Sequence, residues 1–198
     1  MLKDLIRRCR SYRIFDGSLS LEREDLLKLV GLARDCPSAA NRQPLKFFLS
    51  WKKETNEALF PMLKWAGYLK DWDGPGEGER PSAYIVIAGD TEIAENFWCD
   101  HGIASIAILL GAVEMGYGGC IIGAFDKNGL RSRFKISERF DLLLVLALGR
   151  PVERVVLEKI PPDGDIRYWR DEEGVHHVPK RDIEDMAVDL ALSTPFSS

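Results

Sequence analysis

The sequence predicts a mixed α/β or α+β layer fold in which one sheet is covered by helices. Three observations carry that expectation. Four apolar runs of strand length, Phe47–Trp51, Ala83–Ala88, Cys120–Ala124 and Leu142–Leu148, alternate with segments of helical periodicity. Two of the runs, 83–88 and 142–148, are apolar at nearly every position, so both of their faces should be covered. The chain has 198 residues, 45% of them hydrophobic and 29% charged, which suits one folded domain with a sizeable core.

Taken in order, Leu2, Leu5, Ile6 and Cys9 stand at helical spacing and predict a short opening helix. A second helix follows Ser20, its expected N-cap, with Glu22 and Glu24 in the first turn and Leu26, Leu27, Leu29, Val30 and Ala33 toward the core. It must stop at Cys36-Pro37, because a residue preceding proline is pushed out of the α region. Past the Phe47 strand, Glu54–Tyr68 reads as a helix that Pro61 kinks or divides. Leu69–Pro81 reads as a loop. The stretch from about Phe97 to Met115 is apolar nearly all round, as expected of a helix buried in a domain or at a subunit interface. Asn128 is the expected cap of a short helix through Phe134. Beyond Pro151 the apolar density falls, with a possible hairpin at 168–174. A last helix, about Asp182 to Leu192, carries the stripe Ile183, Met186, Ala187 and Leu190.

A net charge of −4 gives no general attraction to nucleic acid or an anionic membrane. The longest apolar run, Ile103–Val113, is too short for a bilayer, which needs roughly 20 residues. Cys9, Cys36, Cys99 and Cys120 lack paired spacing, and the N-terminal residues do not read as a signal peptide, so the expected compartment is the cytoplasm. His101, His176 and His177 have no metal-site spacing, and no metal is expected.

Arg10 and Arg13, three apart around Ser11, and Lys180 with Arg181 form two basic pairs that would suit a phosphate. Fork-shaped guanidinium groups meet phosphate oxygens in paired, charge-assisted hydrogen bonds. Helix-dipole placement and solvation explain the same pairs equally simply. The polar loop Pro37-Ser38-Ala39-Ala40-Asn41-Arg42-Gln43-Pro44 is either a connection or one wall of a site with its side chains held by two prolines. Trp65, Tyr68 and Trp72 could line a pocket for a flat substrate or be tucked against the core. Gly123 and Ala124 carry so little side chain that a ligand could lie on their backbone. No nucleophile elbow, Walker loop or complete dinucleotide fingerprint is present.

Jointly, Arg10-Ser11-Tyr12-Arg13, the Pro37–Pro44 loop, Gly116-Tyr117-Gly118-Gly119-Cys120 and Ile122-Gly123-Ala124 resemble the FMN-dependent nitroreductase family, in the same order and over most of the chain. The resemblance implies an α+β fold with a central mixed, mainly antiparallel sheet covered by helices. It implies a single domain, 1–198, whose extension from about 152 packs on the partner of an intertwined homodimer. FMN would lie between subunits: Arg10, Ser11, Tyr12 and Arg13, with Lys180 and Arg181, around its phosphate and ribityl chain; Pro37, Ser38, Ala39 and Asn41 of the partner subunit's loop along the ring or its edge, with Gln43 supporting that loop; and Ile122, Gly123 and Ala124 beneath it, near N5. The implied activity is ping-pong hydride transfer from NAD(P)H through FMN to a nitroaromatic, quinone or similar small acceptor, with no catalytic side chain of its own. A flavin-binding sensory module without turnover, or a relative specialised for flavin fragmentation or reductive dehalogenation, are the alternatives.

Overall fold

A computed structural model describes residues 1–69 and 72–190, which group into two compact units meeting at Glu153 and Arg154. In the first unit the chain runs α1 (Leu2–Arg8), α2 (Arg23–Arg34), β1 (Leu45–Ser50), α3 (Lys53–Leu59), β2 (Ala83–Asp90), α4 (Asp100–Glu114), β3 (Gly118–Ile122), α5 (Lys127–Phe134) and β4 (Phe140–Gly149), with 3-10 turns at Ala39–Asn41 and Phe60–Met62. The four strands form one antiparallel sheet in the order β1-β2-β4-β3. An α+β fold results.

β2 is buried at every position, as its unbroken apolar run requires. Successive side chains alternate between faces. Ile85 and Ile87 join Leu26 and Leu29 of α2 and Ile108 and Leu109 of α4 on one face, whereas Tyr84, Val86 and Ala88 join Leu59, Trp65, Ile122 and Leu130 on the other. At the end of β2 the buried Asp90 is clamped by Arg139, Nε and Nη2 each 2.6 Å from a carboxylate oxygen, which ties β2 to the start of β4.

Several local expectations are corrected. α2 is capped by Glu22, which shares a reciprocal capping box with Asp25, so its first turn begins later than a Ser20 cap would allow. The 54–68 helix stops early: α3 ends at Leu59, Pro61 sits in the following 3-10 turn, and Leu63 leaves with extended backbone. Asp126, not Asn128, caps α5 by accepting the Gly129 N–H at 2.9 Å. In the 69–81 loop, whose Lys70 and Asp71 lie outside the described residues, the distal part is stitched to the N-terminal region. Phe15 and Gly17 donate their N–H groups to the Glu79 and Gly78 carbonyls at 2.9 and 2.8 Å.

The second unit holds β5 (Val155–Lys159), β6 (Trp169–Arg170), β7 (His176–Lys180) and α6 (Ile183–Met186). β7 is central, parallel to β5 and antiparallel to β6, and the β6–β7 pair is the expected hairpin. The expected 182–192 helix is reduced to one turn, and Ala187 leaves it at φ −96 and ψ 119. Ile183, Met186 and Leu190 are exposed, so the apolar stripe covers nothing here, and a short helix without packing is not stable. Ala191 and Leu192 lie outside the described residues.

Candidate functional site

Two walls are built from the residues singled out above. The first begins where the segment after α1 runs beside β3: Ser11 bridges Gly119 in parallel, and Tyr12 donates its N–H to the Gly119 carbonyl at 3.0 Å. Tyr12 also ties back to α1 through its hydroxyl, which donates to the Arg8 carbonyl at 2.8 Å, and Arg10 Nη2 reaches the Ile6 carbonyl at 2.6 Å. Arg13 is buried, its Nη1 donating to the Ser11 carbonyl at 3.1 Å, while Glu153 accepts from the backbone N–H groups of Arg13 and Ile14. Burial pushes the Cys120 thiol up, with Arg13 pulling the other way and Glu153 reinforcing the rise, so this cysteine stays protonated.

Arg13 and Cys120 share a cleft of about 120 Å³ with Ile122, Gly123, Ala124, Lys64 and Trp65. Lys64 donates its N–H to the Ala124 carbonyl at 3.0 Å and Leu63 bridges Phe125, so the turn after α3 backs the strand that leaves β3. The floor is open. A Cβ on Gly123 would meet nothing closer than Leu144 Cδ2 at 3.8 Å, and the exposed N–H groups of Gly123 and Ala124 make no hydrogen bond among the described residues. The indole Nε1 of Trp65, which lines the same cleft, is buried without a partner.

The second wall is the Pro37–Pro44 loop. Its rigidity comes less from the prolines than from Asp100, a buried carboxylate in the first turn of α4. Ser38 Oγ donates to Asp100 Oδ2 at 2.6 Å, the Ala39 N–H donates to Oδ1 at 3.0 Å, and Ser38 Oγ in turn accepts the Gln43 N–H at 2.9 Å. Gln43 Nε2 closes the loop on Asn41, 3.2 Å from both its carbonyl and its Oδ1. Ala40, Asn41 and Gln43 all take φ near 52, a left-handed conformation that costs about 1–3 kcal/mol per residue and persists only where surrounding bonds enforce it. Pro37, Ser38, Gln43 and Asp100 border a cavity of about 310 Å³ whose remaining wall is mostly apolar, with Val30, Leu45, Phe47 and Ala104, and also carries Arg34.

One chain does not join these walls. The loop stands with α2 and α4 on one face of the sheet; Trp65, Cys120 and Ile122 belong to the core of the other. Of the aromatic trio, Trp65 is buried against Phe60, ring centroids 5.8 Å apart, Trp72 packs on the same core, and Tyr68 is half exposed. Lys180 and Arg181 are exposed at the end of β7 in the second unit. Asp100 and Glu153 escaped sequence reading. An acid opening an apolar helix was a usable signal for Asp100, but nothing in the sequence links Glu153 to Arg13 across 140 positions. Among the described residues no group of three His, Cys, Asp or Glu could hold a metal ion, and no helix is long and apolar enough to cross a membrane.

This arrangement has recognisable relatives. YodC of Bacillus subtilis (strain 168), provisionally named an NAD(P)H nitroreductase, is 24% identical over 196 residues, 84% of this chain and 97% of its own. A crystal structure of a nitroreductase family protein from Clostridium novyi NT is 20% identical and superposes with a TM-score of 0.63 over 90% of this chain and 94% of that one. An FMN-dependent nitroreductase from Clostridium difficile R20291 is 23% identical, with a TM-score of 0.60 over 76% and 87%. Residues 6–150 match the model of the Nitroreductase family, which spans the whole of the four-stranded sheet and both walls. The chain belongs to the nitroreductase family.

Proposed function

We propose that the protein is an FMN-dependent NAD(P)H oxidoreductase that reduces a nitroaromatic, quinone or similar small acceptor, and that two copies of the chain build each flavin site. The single observation that carries the reading is the exposed, unengaged N–H pair of Gly123 and Ala124 at the floor of the Arg13 cleft. A flat, acceptor-rich ring needs a floor with little side chain and free backbone donors, and this segment offers an open Gly123 and two unengaged N–H groups.

Size supports the dimer. At about 120 Å³ the cleft is well below the roughly 300–1,000 Å³ typical of small-molecule pockets, so a ring bound there needs a second wall. The Asp100-braced loop is a polar, strained surface of the right kind, and within one chain it stands on the other face of the sheet. α4 adds an exposed to half-buried apolar strip, Ile103, Ile106, Ala107 and Leu110, for a second copy to cover.

FMN, when bound, would supply the redox chemistry that links NAD(P)H to the acceptor. The chain's residues anchor, orient and exclude water. Arg13 offers a fixed positive charge beside the floor, with Arg10 and Ser11 nearby for phosphate and ribityl oxygens and Lys180 and Arg181 as further candidates. Ser38 is fully engaged within its loop, so it shapes the wall, leaving Pro37, Ala39 and Asn41 to meet the ring. The protonated Cys120 takes no part as a nucleophile. In this reading Trp65 borders the acceptor's space, and Tyr68 and Trp72 close it from the following loop.

The test is the visible spectrum of the purified chain supplied with FMN, before and after anaerobic NADH or NADPH. Retention of an oxidised flavin spectrum that bleaches on reduction and returns with an acceptor is expected. A chain that takes up no FMN overturns the reading, and one that binds FMN without oxidising either nicotinamide is a binding module instead.

A further inference from the structure

A second cavity, of about 390 Å³, lies between α3, the start of β2 and the stitched loop at 77–82, and it shares no lining residue with either wall of the flavin site. Several of its polar groups are engaged within the protein. Asn56 donates to the Ser82 carbonyl at 2.7 Å and its Oδ1 bonds Ser50 Oγ at 2.7 Å; Lys53 faces Glu57 at 3.8 Å. Arg80 and Ser82, however, leave Nε and Oγ buried without a hydrogen-bond partner. Buried polar atoms are seldom left unpaired, because each such group costs about 1–3 kcal/mol.

Arg80 is held for a purpose other than bonding to protein. Its guanidinium lies over the Phe60 ring at 4.1 Å, a cation–π contact that fixes the plane of the fork while leaving its N–H edge unengaged among the described residues. Tyr84 lines the same cavity, and burial pushes its phenol well above its usual value while Arg80 pulls the other way. Trp51 and Phe60 line the same space with flat apolar surface. Glu77, the one acid of the lining without a cationic partner among the described residues, is exposed.

We infer that this cavity binds a small aromatic carboxylate, its two oxygens meeting the Arg80 fork and the Ser82 hydroxyl and its ring lying among Trp51, Phe60 and Tyr84. A carboxylate matches a guanidinium with two parallel bonds, and the volume suits a single-ring acid. The inference does not depend on flavin, since it uses none of the residues assigned to FMN.

Calorimetric titration of the full-length chain as purified tests it, with benzoate as probe, benzamide as its neutral counterpart and inorganic phosphate as the competing oxyanion. Saturable one-site benzoate binding is expected, with benzamide silent and phosphate weaker. Arg80→Gln should weaken benzoate roughly tenfold or more, Ser82→Ala less, and Arg80→Lys by an intermediate amount. If circular dichroism shows that Arg80→Gln does not fold, Ser82→Ala and Arg80→Lys decide. No saturable binding at millimolar benzoate, unchanged affinity in the folded variants, or tighter binding of phosphate than of benzoate would each overturn the inference.

Discussion

Asp100 is the residue on which the loop wall depends. One carboxylate accepts from the Ser38 hydroxyl and the Ala39 N–H, and through Ser38 it reaches the Gln43 N–H as well. Asp100→Asn replaces an acceptor with a donor facing another donor. Bonds to a charged acceptor contribute about 1.5–3 kcal/mol, so the left-handed residues 40, 41 and 43 lose their enforcement and FMN affinity should fall roughly tenfold or more. Fluorescence titration with FMN checks this, and unchanged affinity would mean that the loop is ordered without Asp100. At this scale the sequence named Ser38 and Asn41 and missed their brace. The loop's types, prolines and polar turn formers, are visible in a linear reading, but a hydrogen bond spanning 62 positions is not.

At the scale of elements, periodicity worked where burial decides. β2 and β4 were legible because a strand covered on both faces must be apolar throughout, and α4 because it is apolar nearly all round. Caps and ends were less legible: Glu22 displaced Ser20 because its capping box with Asp25 satisfies two backbone donors. The final helix shrank to a turn, its stripe of Ile183, Met186 and Leu190 left exposed among the described residues. The β6–β7 hairpin carries a charge device that spacing alone does not show. His177 stacks on Trp169 at 4.0 Å, its Nε2 lies 3.0 Å from Asp171 Oδ2, and its Nδ1 bonds Glu158. Asp171 first, then Glu158, hold the imidazole above its usual pKa. A group raised in the folded state stabilises fully below its unfolded value, about 6.5, and that contribution is lost as pH rises through the raised value. A proton NMR titration should find His177 above 6.5 in the intact chain and lower in Asp171→Asn. A midpoint at or below 6.5 would refute the ion-pair account.

For the whole molecule, the fold class and the family were legible in the sequence, and the family match over residues 6–150 and the superposed nitroreductase structures bear them out. The resemblance implied a flavin site between subunits; which face of the sheet carries each group of residues is what a linear reading could not supply. The loop wall stands on the α2–α4 face of the sheet and the Gly123 floor goes with the opposite core, and the proposed function takes them as two half-sites. The central claim is that these halves meet across two subunits. Mixing Ser38→Ala protein, which frees the loop, with Gly123→Leu protein, which fills the open floor, tests it most directly. The subunits are exchanged by mild denaturation and refolding, and FMN binding is read by fluorescence. Each variant alone should bind FMN poorly, while the mixed dimer, having one intact site beside one doubly altered site, should recover binding at one site per dimer. Recovery no greater than the average of the separate variants would contradict a flavin site shared between subunits.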